Sequence, residues 1–83
     1  MKTKKKKAQP APDPTRTIGS ILRSLRHAKK QTQQEAADGM VKAGMAMSLR
    51  SLIRYEKDQA KVDLEMLKGF ANYYGQSLKE LIP

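Results

Sequence analysis

TQQEAADGMVKAGMAMSLRSLIRYEK, Thr32 to Lys57, is the stretch on which the fold turns. It opens with Thr32-Gln33-Gln34-Glu35, the pattern of a capping box. In that device the threonine hydroxyl accepts from the amide three residues on, and the glutamate carboxylate reaches back. Ala36, Ala37, Met40 and Val41 then fall on one helical face, and Gly44 suits a C-terminal cap. Gly39 lies inside this run, costs about 1 kcal/mol against alanine, and weighs against a single unbroken helix. Ser48 caps the next helix, which runs to about Lys57 and carries Leu49, Leu52, Ile53 and Tyr55. Of these, Leu52 and Tyr55 are the inward pair.

Upstream, Thr17 serves as an N-cap, and Ile18, Ile21, Leu22 and Leu25 repeat at helical spacing with Arg23, Arg26, Lys29 and Lys30 largely elsewhere. Downstream, Asp63 caps a helix whose apolar face is Leu64, Leu67, Phe70, Ala71 and Tyr74, ended by Gly75. Ser77-Leu78-Lys79-Glu80 reads as another capping box, opening a last short helix with Leu78, Leu81 and Ile82. The expected architecture is therefore all-α: a compact five-helix domain over residues 17–83. Residues 1–16 hold Lys2, Lys4, Lys5, Lys6, Lys7, Arg16 and three of the four prolines, with almost no apolar content. Such a segment cannot bury enough apolar surface to offset its ordering entropy, so a disordered basic tail is expected there.

Composition narrows the chemistry. The chain has 83 residues, no cysteine and one histidine, His27. Disulfides and thiolate metal sites are excluded, and no metal or other cofactor is expected. No apolar run approaches the roughly 20 residues of a membrane span, and the basic N-terminus lacks the apolar segment of a secretory signal. A soluble cytoplasmic protein is the expectation. The net charge is +9, of which the tail contributes +5 and the rest of the chain +4. That excess favours an anionic partner, nucleic acid above all. No nucleophile–base pair or phosphate loop is recognisable, so no enzymatic activity is expected.

The order of these pieces resembles the Xre-type, lambda-repressor-like helix-turn-helix family, over about Ile18 to Ile82. The residues that carry the resemblance are Ile18-Gly19 with Leu22, Leu25 and Arg26; Thr32 to Ala37; Ser48, Ser51, Leu52, Arg54, Tyr55 and Glu56; and Leu64, Leu67, Phe70-Ala71, Tyr74-Gly75, Ser77-Leu78 and Leu81. Two departures stand out. About five extra residues lie within 38–47, and Asp58 stands where many members have glycine, a position that asparagine and aspartate tolerate better than most. The resemblance also pairs an arginine late in the first helix with a glutamate closing the third. Arg26 and Glu56 are the matching residues, and a structural salt bridge between them is expected.

By the same resemblance the helix around 48–57 enters the major groove of double-stranded DNA, with residues near its N-terminus at base edges. Ser48, Leu49, Arg50, Ser51 and Arg54 are the candidate base readers. Arg50 leads, because a guanidinium can donate two hydrogen bonds to guanine O6 and N7. Leu49 can touch a thymine methyl or serve the core. Gln33, at the start of the second helix, and Lys57 and Lys61 are candidate phosphate contacts. Lys4, Lys5, Lys6 and Lys7 act either as an arm along the DNA backbone or as a solubilising end. Met40, Met45 and Met47 read as core filler, or else as a partner surface. The function implied is a transcriptional regulator, read as a repressor. A homodimer, with a surface from the last helix, would place half-sites about 34 Å apart. The alternatives are an antitoxin that neutralises a protein partner and autoregulates through DNA, and an RNA-binding factor. The missing base-stacking aromatic motifs count against the second.

Overall fold

The computed structural model describes residues 16–83; the expectations placed on the tail, Lys4 to Lys7 included, lie outside the described residues, save for Arg16, which is exposed. Four α-helices follow one another: α1 (Ile18–Ala28), α2 (Gln33–Lys42), α3 (Leu49–Glu56) and α4 (Leu64–Tyr74). A single 3-10 turn, Leu78–Leu81, closes the order, and no strand occurs among the described residues.

Each helix begins where a side chain satisfies its free amides. Thr17 and Thr32 form capping boxes with Ser20 and Glu35, and Ser48 and Asp63 accept from Ser51 N and Met66 N. Each α-helix also ends in the same way, on a residue of positive φ: Lys30, Gly44, Asp58 and Gly75. The following amides, on Gln31, Met45, Gln59 and Gln76, fold back onto Arg26, Met40, Arg54 and Ala71 carbonyls, a Schellman closure that occupies otherwise free acceptors.

The expected fifth α-helix is a correction. Ser77 makes no side-chain cap hydrogen bond, so the capping box read over Ser77 to Glu80 is not formed. Glu80 N instead bonds Ser77 O at 3.0 Å, the shorter 3-10 pattern. Nucleating an α-helix fixes several residues for one hydrogen bond, and a four-residue segment does not recover that cost. What holds the turn is the burial of Leu81, which is fully enclosed. Three apolar positions assigned to inward faces also sit outside. Val41, Leu64 and Ile82 are each more than half exposed, because they lie at the edges of their apolar stripes or beyond the last turn.

The core gathers Leu22, Met40, Leu52, Phe70 and Leu81, all fully buried, with Ile21, Ala36, Ala37, Leu67, Ala71 and Tyr74 around them. Each large member contributes about 1.5–3 kcal/mol by leaving water. Met45 and Met47 are half-buried against this cluster. α1 and α2 both pack on α3, while α4 and the 3-10 turn close over α1. The Tyr74 hydroxyl is buried without a hydrogen-bond partner, and burial pushes its pKa well above the ordinary phenol range.

Two details answer questions the sequence leaves open. α2 runs unbroken through Gly39, where the missing β-carbon leaves room for the Tyr73 hydroxyl. The extra residues form no long extension of α2, since the helix stops at Lys42 and residues 43–48 are a non-helical link. Within that link Met45 lies against Gly69 of α4, its Cε 2.9 Å from where a β-carbon would stand.

Gly19 has the closest approach to main chain. A β-carbon there would lie 2.6 Å from the Tyr55 carbonyl oxygen and 2.7 Å from that of Glu56. Backbone cannot move aside as a flexible side chain can. Gly19→Ala is therefore expected to destabilise by about 1–3 kcal/mol in urea unfolding, through separation of α1 from α3. Wild-type stability would contradict that close approach.

Candidate nucleic-acid interface

The face that α3 shows to solvent follows from its winding. Leu52 and Glu56 point inward and are buried, and Arg50, Arg54 and Lys57 are exposed. At 3.6 residues per turn these three cations fall within about 60° of one another around the helix axis. The outward stripe is thus wholly basic. At its start, Ser48 accepts from Ser51 N at 3.1 Å and donates to Ser51 Oγ at 3.1 Å. The Ser48 hydroxyl is engaged in capping, whereas Ser51 keeps its own O–H proton free to donate. Arg54 donates to Gln59 O at 3.2 Å across the exposed end of the helix. Leu49 is half-buried, and Lys61 is exposed just beyond the helix.

A buried network aims this face. Arg26 Nε and Nη2 donate to the two Glu56 carboxylate oxygens at 2.8 and 3.1 Å, a bidentate pair of which 7% and 4% of the residue surfaces remain exposed. Arg26 Nη1 donates to Gln31 O at 3.0 Å, and Gln33 Nε2 donates to Glu56 Oε1 at 3.1 Å. Donation to the Glu56 carboxylate raises the Arg26 pKa above its ordinary value, burial working against it. One carboxylate therefore joins the C-terminal part of α1, the N-terminus of α2 and the end of α3. Gln33 carries a structural bond, and its second amide proton remains available to a phosphate.

A second fastening lies two residues beyond Glu56. The Asp58 carboxylate accepts from Gly19 N at 3.0 Å and from Thr17 Oγ1 at 2.6 Å. Its φ of 59° is the left-handed conformation that turns the chain out of α3. The sequence points to that conformation but not to the carboxylate's role at the α1 N-terminus, where free amides favour a negative group. Ile53, one of the helix's apolar residues by sequence, is half-buried beside the basic stripe.

Away from α3, an open cleft of about 570 Å³ lies between the 43–46 link and α4, lined by Met45, Met66, Gly69, Asn72 and Tyr73 among others. Among the described residues no cluster of three or more metal-ligating side chains occurs, and no helix is long and apolar enough to cross a membrane.

No family model matches the chain, and a search of curated proteins finds no match. Among solved structures, the crystal structure of the DNA-binding domain of BldD is similar, with a TM-score of 0.69 and 22% sequence identity. The similarity covers 81% of this chain and 90% of that one. At that identity the likeness is one of fold.

Removing one member of the buried pair strands the other charge. Glu56→Ala is expected to cost about 3–5 kcal/mol in denaturant unfolding, and Gln33→Ala only about 1 kcal/mol. Equal losses from the two would contradict the central position of Glu56.

Proposed function

We propose that this chain is a sequence-specific, double-stranded DNA-binding transcriptional regulator of the Xre type, acting as a repressor in the cytoplasm. The observation that carries the reading is the basic outward stripe of Arg50 and Arg54 on an eight-residue helix and Lys57 at its C-cap, with the end of the helix fastened through Glu56. Such a helix fits the major groove, which is about 12 Å wide. The shared fold with a DNA-binding domain supports the same reading.

The residues divide by chemistry. Arg50, near the α3 N-terminus, reads a guanine edge; Ser51, Leu49 and Arg54 contact neighbouring positions, and Ser48 lies against the backbone. Lys57, Lys61 and the free Gln33 amide proton hold phosphates, which sets register without reading sequence. Lys4 to Lys7 add salt-sensitive affinity as an arm along the DNA backbone. A homodimer binds two half-sites about one DNA turn, 34 Å, apart, and blocks access to the DNA it covers.

The test is selection of duplexes from a random pool with the intact chain, followed by titrations at two salt concentrations. A two-fold-related site is expected. Arg50→Ala should lose about 1–3 kcal/mol on that site and relax one position, while Lys57→Ala should weaken all duplexes alike and lower the salt slope by about one. A pool that returns no preferred sequence would overturn the reading.

A further inference from the structure

Tyr73, on α4, reaches three places outside its own helix. Its hydroxyl donates to Gln31 Oε1 at 3.1 Å and also takes up the room left by Gly39 on α2. The Lys29 ammonium stands 5.0 Å from the centre of its ring. Gln31 directly precedes the Thr32 cap of α2. Its carbonyl oxygen accepts from Arg26 Nη1 at 3.0 Å, and its amide donates to Arg26 O at 3.2 Å. α1 thus holds the main chain of Gln31, and α4 holds its side chain.

We infer that Tyr73 is a positioning residue for DNA: acting through Gln31, it sets where Gln33, two residues on, meets a phosphate. The inference rests on the DNA-binding reading above and names what keeps one of its contacts in place. The Arg26 bonds fix where the Gln31 backbone lies, but bonds to a single residue leave the turn free to rock about them. A contact on the side chain, made from a different helix, removes that freedom. A hydrogen bond to an oxygen holds over about 2.7–3.2 Å and weakens steeply with angle, so rocking of the turn is felt at the phosphate before it is felt in the core. α2 packs chiefly on α3, and Gly39 lets the tyrosine hydroxyl seat against its flank as well. The Tyr73 ring is itself held by its buried neighbour Tyr74, edge-on at a centroid distance of 5.0 Å.

The experiment uses the full chain and the duplex obtained by selection, with phosphates replaced one at a time by neutral methylphosphonates. In wild type, neutralising one phosphate in each half-site should lower affinity about tenfold, the worth of one hydrogen bond to a charged group. Gln33→Ala should abolish that loss and so identify the phosphate. Tyr73→Phe keeps the ring and removes the hydroxyl; it should shrink the loss at that phosphate to about threefold and leave the losses at every other phosphate unchanged. Gln31→Ala should do the same, and the double variant should be no worse than either single one. Each single variant gives up one partly exposed hydrogen bond, so its thermal midpoint should fall by no more than about 8 °C. A full tenfold loss retained in Tyr73→Phe overturns the inference and leaves the DNA reading standing. So does an effect spread evenly over all phosphates, which is what a purely structural tyrosine would give, or one that adds to that of Gln31→Ala. A duplex on which no phosphate depends on Gln33 overturns it too. Failure to select any sequence overturns the DNA reading and the inference with it.

Discussion

The bidentate pair between Arg26 and Glu56 is the constraint on which the arrangement of the three leading helices depends. Taking an ion out of water costs several kcal/mol, and the attraction between partners repays that only when geometry is good and the remaining polar atoms are satisfied. Here they are: Gln31 O receives the third arginine bond, and Gln33 supplies a second donor to the carboxylate. An apolar pair of equal volume could give comparable stability, but it would tolerate sliding. The ion pair does not, because any shift of α3 along α1 leaves a buried charge without its partner. Its effect is therefore on orientation, and orientation is what turns Arg50, Arg54 and Lys57 to solvent.

The second fastening works on the backbone. Gly19 lets α1 approach the last carbonyls of α3 more closely than any side chain would permit, and Asp58 uses that proximity to accept from Gly19 N and Thr17 Oγ1. α3 is thereby held near its C-terminus at two points two residues apart, while Leu52 seats its N-terminal half in the core and leaves Arg50 exposed beyond the Ser48 cap. A helix seated on one face and exposed on the other suits insertion into a groove. The 43–48 link, which separates α2 from α3, is tied down by Met45 against Gly69, so its length does not loosen α3.

What the sequence made legible is what depends on neighbours within four residues. The helix starts at Thr17, Thr32, Ser48 and Asp63 and the ends at Gly44 and Gly75 follow from local capping chemistry, and the core face of each helix from spacing. Distant partners were not legible. Nothing near Gly39 in the chain announces that Tyr73 fills the space beside it, and nothing near Lys30 announces a positive φ. Ser77 to Glu80 has the letters of a capping box without the length of helix that would reward forming it. Periodicity placed Val41 and Leu64 on apolar faces but could not show that those edges stay uncovered. At the candidate site, the choice of α3 came from the resemblance and from charge. The half-burial of Leu49 and Ile53 required knowing which apolar residues the core takes up, and Asp58's carboxylate required knowing where α1 begins in space.

The central claim is that the outward face of α3 meets double-stranded DNA, and amide chemical-shift mapping of the full chain during titration with the selected duplex tests it most directly. The account predicts the largest perturbations over residues 48–57, with a second group at the start of α2 around Gln33, and little change along α4. Perturbations centred on the cleft between Met45 and Tyr73, with α3 unmoved, would contradict it.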